Sequence, residues 1–150
     1  MGRSDFCRIE STAVLKTQQN DPYQVFDEHQ IQTALFRAWK KRGLPGAIMF
    51  AVPNGGARDV VTARRLKDEG VVAGAPDICA IVGGATYFIE VKRARGALSD
   101  QQKAFQAKLR EAGALARTVY GYIQAIKMLE DIGVIRRPAP EGGKHGQPTA

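Results

Sequence analysis

Cysteine, histidine and long apolar runs are scarce in this chain, and their scarcity excludes several classes of protein. The 150 residues contain two cysteines, Cys7 and Cys79, which make neither a disulfide framework nor a metal-binding pattern. The two histidines, His29 and His145, each stand alone. No apolar run approaches the ~20 residues of a membrane span, and the first residues lack the apolar core of a signal peptide. We therefore expect a cytoplasmic protein, with Cys79 buried in a strand as a small apolar residue.

Acidic residues are outnumbered by basic ones. The chain has 15 aspartates and glutamates against 22 lysines and arginines, which gives a formal net charge of +7. This charge favours a polyanionic partner such as nucleic acid, whose phosphates supply salt-dependent affinity. Charge alone does not decide the matter, because many basic proteins bind no nucleic acid. Hydrophobic residues make up 44% of the chain, which suits one folded domain with a sizeable core.

Turn residues and hydrophobic periodicity divide the chain into one domain and two flanking segments. Residues 1–20 show no clear pattern and predict a loosely attached arm. Residues 136–150 are rich in proline, glycine and lysine and predict a disordered tail. The domain, residues 21–135, begins with a helix that has Asp21 as its N-cap and Pro22 in its first turn. It is predicted to contain helices over 22–42, 60–69, 99–112 and 122–131, and strands over 47–52, 77–82, 86–92 and 115–120. This order predicts an α/β fold, with a mixed central sheet flanked by helices on both sides.

A β-hairpin around Gly83-Gly84 is the strongest local signal. A two-residue turn there places Asp77 directly opposite Glu90, with Cβ atoms roughly 5 Å apart. Lys92 lies two residues beyond Glu90 and therefore shares its face of the sheet. Two neighbouring carboxylates repel each other, and burial raises that cost, so a cation is needed between them. Lys92 neutralises one carboxylate, whereas a divalent metal satisfies both. The alternative is a purely structural Asp/Glu/Lys cluster at the rim of the sheet.

Pro76-Asp77 followed by Glu90-Val91-Lys92 resembles the PD-(D/E)xK motif of restriction-endonuclease-like nucleases. More narrowly, the chain resembles the VRR-NUC family of that superfamily over roughly residues 22–130. The matching segments are Glu28, Pro53-Asn-Gly-Gly56, Gly70 with Gly74-Ala-Pro-Asp77, Phe88-Ile-Glu-Val-Lys92 and Leu98-Ser-Asp-Gln-Gln102. The resemblance implies a restriction-endonuclease-like α/β core and hydrolysis of DNA phosphodiester bonds with Mg²⁺, for which Mn²⁺ can substitute.

The resemblance also implies roles for the residues of the hairpin. Asp77 and Glu90 would hold one or two metal ions, with the carbonyl group of Val91 as a further ligand. Lys92 would orient the attacking water or help to deprotonate it, and would shield the negative charge of the phosphate.

Glu28 and Gln102 each have two interpretations. Glu28 lies on the apolar stripe of the first helix, and the resemblance implies a third carboxylate that acts on the metal directly or through water. A surface glutamate is the alternative, and Asp27 is the rival residue. Gln102 is the third helical residue of a capping box that begins at Ser99, which explains it fully as a structural residue. The resembling family also places a glutamine here that faces the catalytic centre, and the two roles need not exclude each other.

Five residues are candidates for contact with DNA. Asn54 and Arg58 lie in a turn-rich loop that borders the active site in the resembling family, although an ordinary turn is the alternative. Arg64 belongs to a basic helix face, for which simple solvation is the alternative. Arg93 and Arg95 follow the second hairpin strand and are placed to hold the DNA backbone.

Our leading hypothesis is a metal-dependent DNA endonuclease that is selective for branched DNA, such as four-way junctions or flaps, in repair or recombination. Short members of the resembling family, from phages and bacteria, resemble junction-resolving nucleases, and two paired active sites require a homodimer. A non-catalytic basic DNA-binding module is the alternative from a different class, but it leaves the opposed carboxylates unexplained.

Overall fold

A mixed four-stranded sheet lies at the centre of the computed structural model, which describes residues 25–53 and 60–139. The strands lie side by side in chain order. β1 pairs with β2 and β2 with β3 in antiparallel fashion, whereas β3 and β4 are parallel. The strands are β1 (Ile48–Ala51), β2 (Ile78–Val82), β3 (Ala85–Lys92) and β4 (Leu115–Tyr120). The predicted arm over residues 1–20 and most of the predicted tail, residues 140–150, lie outside the described residues.

Helices flank both faces of this sheet. On one face, Ile89 of β3 and Val119 of β4 join the hydrophobic core. Because successive side chains of a strand alternate between faces, Glu90 and Thr118 point to the other face, where they contact α3. The helices are α1 (Glu28–Arg42), α2 (Val60–Asp68), α3 (Asp100–Glu111) and α4 (Gly121–Asp131). The predicted mixed α/β architecture is therefore confirmed. No helix in the described ranges is long and apolar enough to cross a membrane.

The core lies between the sheet and the pair α1 and α4, which pack against each other. α1 contributes Ile31 and Leu35, as its apolar spacing predicts. α4 contributes Ala125 and Leu129. The cluster of buried apolar residues comprises Ile31, Leu35, Met49, Ile78, Ala80, Ile89, Val91, Val119, Ala125, Leu129, Val134 and Ile135.

The start of α1 corrects the sequence-based prediction. The helix begins at Glu28 rather than at Pro22, and its N-cap is Asp27 rather than Asp21. The Asp27 carboxylate accepts a hydrogen bond from the Gln30 backbone N–H at 2.7 Å, and the Gln30 side chain accepts one from the Asp27 backbone N–H at 3.0 Å. This reciprocal pair is a capping box. It satisfies two backbone donors, so the helix starts here.

The hairpin has the predicted two-residue turn. Val82 pairs with Ala85, and the register continues to Ile78 opposite Ile89. Gly83 and Gly84 have φ angles of +57° and +77°. Positive φ at both central residues is what a tight hairpin turn of this kind requires, and glycine adopts it without strain. The turn thus sets which residues face each other at the far end of the hairpin.

The segment after α4 is tied to the end of α1. Ile135 forms a bridge with Gly43, and the Arg136 backbone N–H donates to the Arg42 carbonyl oxygen at 2.7 Å. The Arg42 guanidinium in turn pairs with Glu130 at 2.7 Å. Arg137 pairs with Asp131 at 2.6 Å, so the domain makes specific contacts at least two residues beyond the boundary predicted at residue 135.

Gly74 brings the segment before β2 into close contact with α3. Its φ is +83°, and a Cβ atom placed on it would lie 2.6 Å from the Gln101 carbonyl oxygen. Neither the conformation nor the space admits a side chain. The backbone that leads to Asp77 can therefore approach the first turn of α3, which carries Gln102.

We expect Gly74→Ala to destabilise the protein more than Gly46→Ala. Both glycines have a φ of +83°, but a Cβ on Gly46 would meet nothing within 4 Å. Each alanine carries the cost of the left-handed conformation, roughly 1 kcal/mol, and only Gly74→Ala adds a clash with backbone. In urea unfolding, the free energy of unfolding should fall by at least about 1 kcal/mol more in Gly74→Ala than in Gly46→Ala. Equal losses would show that the close approach to α3 contributes nothing.

Candidate active site

The end of the β2–β3 hairpin brings Asp77 and Glu90 together. Ile78 and Ile89 are the last pair of the ladder, so Asp77 and Glu90 are the next residues outward on their strands. An Asp77 carboxylate oxygen accepts a hydrogen bond from the Val91 backbone N–H at 2.8 Å. The Asp77 carbonyl oxygen accepts one from the Val52 N–H, also at 2.8 Å. Asp77 is thus fixed between the ends of β1 and β3, next to Glu90.

Glu90 is the most buried charged residue among those the structure describes, with 1% of its surface exposed. One of its oxygens, Oε1, accepts hydrogen bonds from Lys92 Nζ at 2.8 Å and from Gln102 Nε2 at 2.5 Å. The other oxygen, Oε2, is buried and has no hydrogen-bond partner among the described residues. Buried polar atoms are rarely left unpaired in this way. The two oxygens of Glu90 therefore have very different surroundings.

The surroundings of Glu90 raise the pKa of its carboxyl group. Burial is the largest cause, because it disfavours the charged carboxylate. The hydrogen bond from Lys92 opposes this shift, while the negative charges of Asp77 and Glu28 add to it. The protein therefore compensates the Glu90 charge only in part. An added cation at this position would supply the remaining compensation.

Lys92 is held as an ammonium ion by the same cluster. Its burial lowers its pKa, but the hydrogen bond and charge of Glu90, with the charges of Glu28 and Asp77, outweigh burial and leave the pKa raised. Only 6% of Lys92 is exposed. A buried lysine with a raised pKa donates protons in hydrogen bonds and does not accept them near neutral pH. This state favours the orienting role over the deprotonating one.

Glu28 reaches the site through Lys92. It is the first residue of α1, and its Oε1 lies 3.5 Å from Lys92 Nζ. Its side chain is 47% exposed, so it is less buried than its position on the apolar stripe predicts. The rival, Asp27, uses its carboxylate to cap α1. The Asp27 carboxylate is thus engaged in capping, and Glu28 is the one of these two acids that faces the cluster.

Gln102 has both of the contacts that its two interpretations predict. Its Oε1 accepts a hydrogen bond from the Ser99 backbone N–H at 2.9 Å, and its backbone N–H donates to the Ser99 hydroxyl at 3.2 Å. At the other end of the same amide, Nε2 donates to Glu90. One glutamine side chain therefore caps α3 and orients Glu90. Glutamate could accept the first bond but could not donate the second.

Gln106 lies one turn further along α3 and was not identified from the sequence. It is 2% exposed, and its Nε2 donates to the Thr118 hydroxyl at 2.9 Å. Its Oε1 accepts a hydrogen bond from Arg110 at 3.0 Å. Thr118 is the residue of β4 that pairs with Glu90. The four-residue spacing from Gln102, which puts both amides on one helix face, was the available signal.

The candidate DNA-contacting residues are only partly covered by the structure. Asn54 and Arg58 lie outside the described residues. Arg64 is exposed on α2, and Arg93 and Arg95 are exposed directly after β3. The Arg93 carbonyl oxygen accepts a hydrogen bond from the Gly96 N–H at 2.8 Å, which forms a turn immediately beyond Lys92.

Within the described ranges, no group of three or more His, Cys, Asp or Glu side chains is arranged to hold a metal ion. Glu28 therefore does not complete a direct three-carboxylate site with Asp77 and Glu90. The end of the hairpin still suits a cation. Glu90 Oε2 is buried and has no hydrogen-bond partner among the described residues, and Asp77 stands opposite Glu90.

Comparison with known proteins shows what the fold of this chain resembles. No protein-family model matches the chain, and no curated protein has a significantly similar sequence. Among solved structures, a "VRR_NUC domain protein" is similar with a TM-score of 0.58 and 21% identity, covering 71% of this chain and 88% of that one. A second, a "VRR_NUC domain", is 23% identical with a TM-score of 0.48, covering 69% of this chain and 94% of that one. The first match confirms the VRR-NUC resemblance at the level of the fold, which is restriction-endonuclease-like as predicted.

We expect Glu90→Ala to destabilise the protein strongly and Glu90→Gln to change its stability little. Alanine removes the partner of a buried ammonium group, a change that costs about 3 kcal/mol or more. Glutamine keeps an oxygen that accepts from Lys92 and Gln102, and it removes the repulsion with Asp77. Urea unfolding at neutral pH should separate the two variants by at least about 2 kcal/mol. Similar stabilities would show that Lys92 does not depend on Glu90.

Proposed function

We propose that this chain is a metal-dependent DNA endonuclease. The proposal rests on the asymmetry of Glu90, with one oxygen held by Lys92 and Gln102 and the other buried without a partner in the described part of the chain. An unpaired buried carboxylate oxygen beside a second carboxylate is unfavourable unless a cation joins them. The fold shared with a VRR_NUC domain protein supports nuclease chemistry at this position.

Asp77 and Glu90, with the Val91 carbonyl group, would hold Mg²⁺, and Mn²⁺ would substitute for it. When bound, the ion lowers the pKa of water and stabilises negative charge on phosphate oxygens. Glu28 would act through water or through Lys92, since it contacts Lys92 rather than the two carboxylates. Hydrogen bonding to the Val91 N–H keeps the Asp77 carboxylate in place before any ion binds.

Lys92 would donate hydrogen bonds to the attacking water or to a phosphate oxygen. Its raised pKa keeps it charged near neutral pH, so it stabilises negative charge as that charge develops during attack. Gln102 would hold Glu90 in the orientation that directs Oε2 away from Lys92. Lys92 and Gln102 would thus perform these roles from the positions that they already occupy.

We further propose that the substrate is branched DNA and that the active form is a homodimer. A symmetric junction needs two cuts, which two copies of one site supply. The edge strand β1 exposes Ile48 and Phe50, at 56% and 46% of their surfaces. Because adjacent exposed apolar side chains on a sheet edge favour association, this edge is the surface that a second copy would cover.

The first test is cleavage of supercoiled plasmid DNA. We expect the wild-type protein to nick the plasmid with Mg²⁺ or Mn²⁺ and to stop when EDTA removes the metal. Glu90→Gln should fold normally and fail to nick. A protein that binds the plasmid and never nicks it in either metal would be the non-catalytic DNA-binding module instead. A labelled panel of four-way junction, flap, splayed arm, duplex and single strand then identifies the preferred structure.

Gln102→Glu should reduce cleavage at least tenfold, which corresponds to about 1.4 kcal/mol in the activation barrier. Glutamate keeps the hydrogen bond from the Ser99 N–H, but it replaces the donor to Glu90 with a repelling oxygen. Gln101→Glu is the matched control, because it adds the same charge one residue earlier at an exposed position. Equal rates for both variants at saturating Mg²⁺ would return Gln102 to a purely structural role.

A further inference from the structure

A surface groove of about 400 Å³ lies between α1 and the end of β1. Its floor and walls come mainly from one face of α1, with Ala51 of β1 on the opposite side. The side chains from α1 are His29, Gln32, Thr33, Phe36, Arg37 and Lys40. Arg64, Arg93 and Arg95, the sequence-based candidates for DNA contact that the structure describes, do not line this groove.

Among the residues that the structure describes, the groove is lined by basic side chains and by no acidic ones. Arg37 and Lys40 are exposed, and neither forms an ion pair with any residue that the structure describes. Many other cations of the domain do form such pairs, among them Arg42, Arg65, Lys92, Lys103, Lys127 and Arg137. Arg37 and Lys40 thus remain available to an anionic partner. His29, Gln32 and Thr33 add polar groups that hydrogen-bond phosphate or sugar oxygens.

The N-terminal end of the groove is adjacent in sequence to a residue of the candidate active site. His29 directly follows Glu28, whose carboxylate lies 3.5 Å from Lys92. At a rise of 1.5 Å per residue, the basic face from His29 to Lys40 extends for about 16 Å along α1. The residues of this face span an arc of roughly 140° around the helix, on the side away from Ile31 and Leu35, and Phe36 among them also packs against the hydrophobic core. A chain-like anion that passes the site can therefore continue along the helix.

We propose that this groove binds the backbone of a single DNA strand that runs to or from the active site. The inference rests on the proposed nuclease function, because it assigns the path of that site's substrate. Phosphates would contact Arg37 and Lys40, while Phe36, which is half-buried against the core and lines the same groove, would offer its exposed aromatic surface to a base. Positive grooves with an aromatic side chain are typical of proteins that bind single strands without sequence preference. A substrate with an unpaired arm, such as a flap or splayed arm, would occupy the active site and the groove at once.

The test measures binding in EDTA, so it does not depend on cleavage. Fluorescence anisotropy of a labelled single-stranded oligonucleotide and of a blunt duplex of equal length gives affinities across a salt series. The variants are Lys40→Ala and Arg37→Ala/Lys40→Ala. Lys41→Ala is the matched control, because Lys41 is an exposed lysine of the same helix that does not line the groove.

We expect the double variant to bind the single strand at least tenfold more weakly than wild type. Each lost phosphate contact lowers the slope of log affinity against log salt by about 0.7 for a single strand, so the double variant should lose about 1.4. Lys41→Ala should change neither quantity, and the double variant should bind the duplex within about threefold of wild type. All variants should have the melting temperature of the wild type. If the alanine substitutions lower the melting temperature, Arg37→Gln/Lys40→Gln serves as a second double variant.

Three results would overturn the groove assignment. An equal loss from Lys41→Ala would show that α1 contributes only general charge, and an equal loss on the duplex would show that no single strand is selected. If the double variant binds normally while wild type nicks plasmid, the groove assignment fails and the nuclease stands. If the double variant behaves as expected while wild type never nicks, strand binding stands and the nuclease proposal fails.

Discussion

The carboxylate of Glu90 is almost completely removed from water, so neighbouring groups must compensate its charge. Lys92 and Gln102 compensate one oxygen, and the described part of the chain offers nothing to the other. These partners come from different elements, β3 and α3, and Glu28 adds a contact from the start of α1. The site therefore forms only when the hairpin, α3 and α1 are all in their folded positions.

Three structural features deliver those elements to one point. The two-glycine turn sets the hairpin register, which puts Asp77 and Glu90 side by side. Gly74 lets the segment before Asp77 approach the first turn of α3, and the Gln106–Thr118 hydrogen bond attaches α3 to the strand next to Glu90. The positions of the candidate site residues are thus determined by backbone contacts and by buried amides. Such support is what a pre-organised site requires.

Features governed by local rules could be predicted from the sequence, and features that depend on packing could not. The hairpin register follows from turn length, and the capping role of Gln102 follows from its spacing to Ser99. The same local rule predicted Asp21, before Pro22, as the N-cap of α1, whereas the structure uses Asp27. The contact between Gln106 and Thr118 and the reach of Glu28 to Lys92 join residues distant in sequence, so no local pattern shows them.

We propose that Asp77 and Glu90 hold a divalent ion through the oxygen that the described part of the chain leaves unpaired. Crystals of the wild-type protein grown with Mn²⁺, measured at an energy where manganese scatters anomalously, test it most directly. The account predicts an anomalous peak at coordination distance from Glu90 Oε2 and from the Asp77 carboxylate, and no such peak in Glu90→Gln. A manganese peak elsewhere, with Glu90 Oε2 still unpaired or bound only to water, would contradict it.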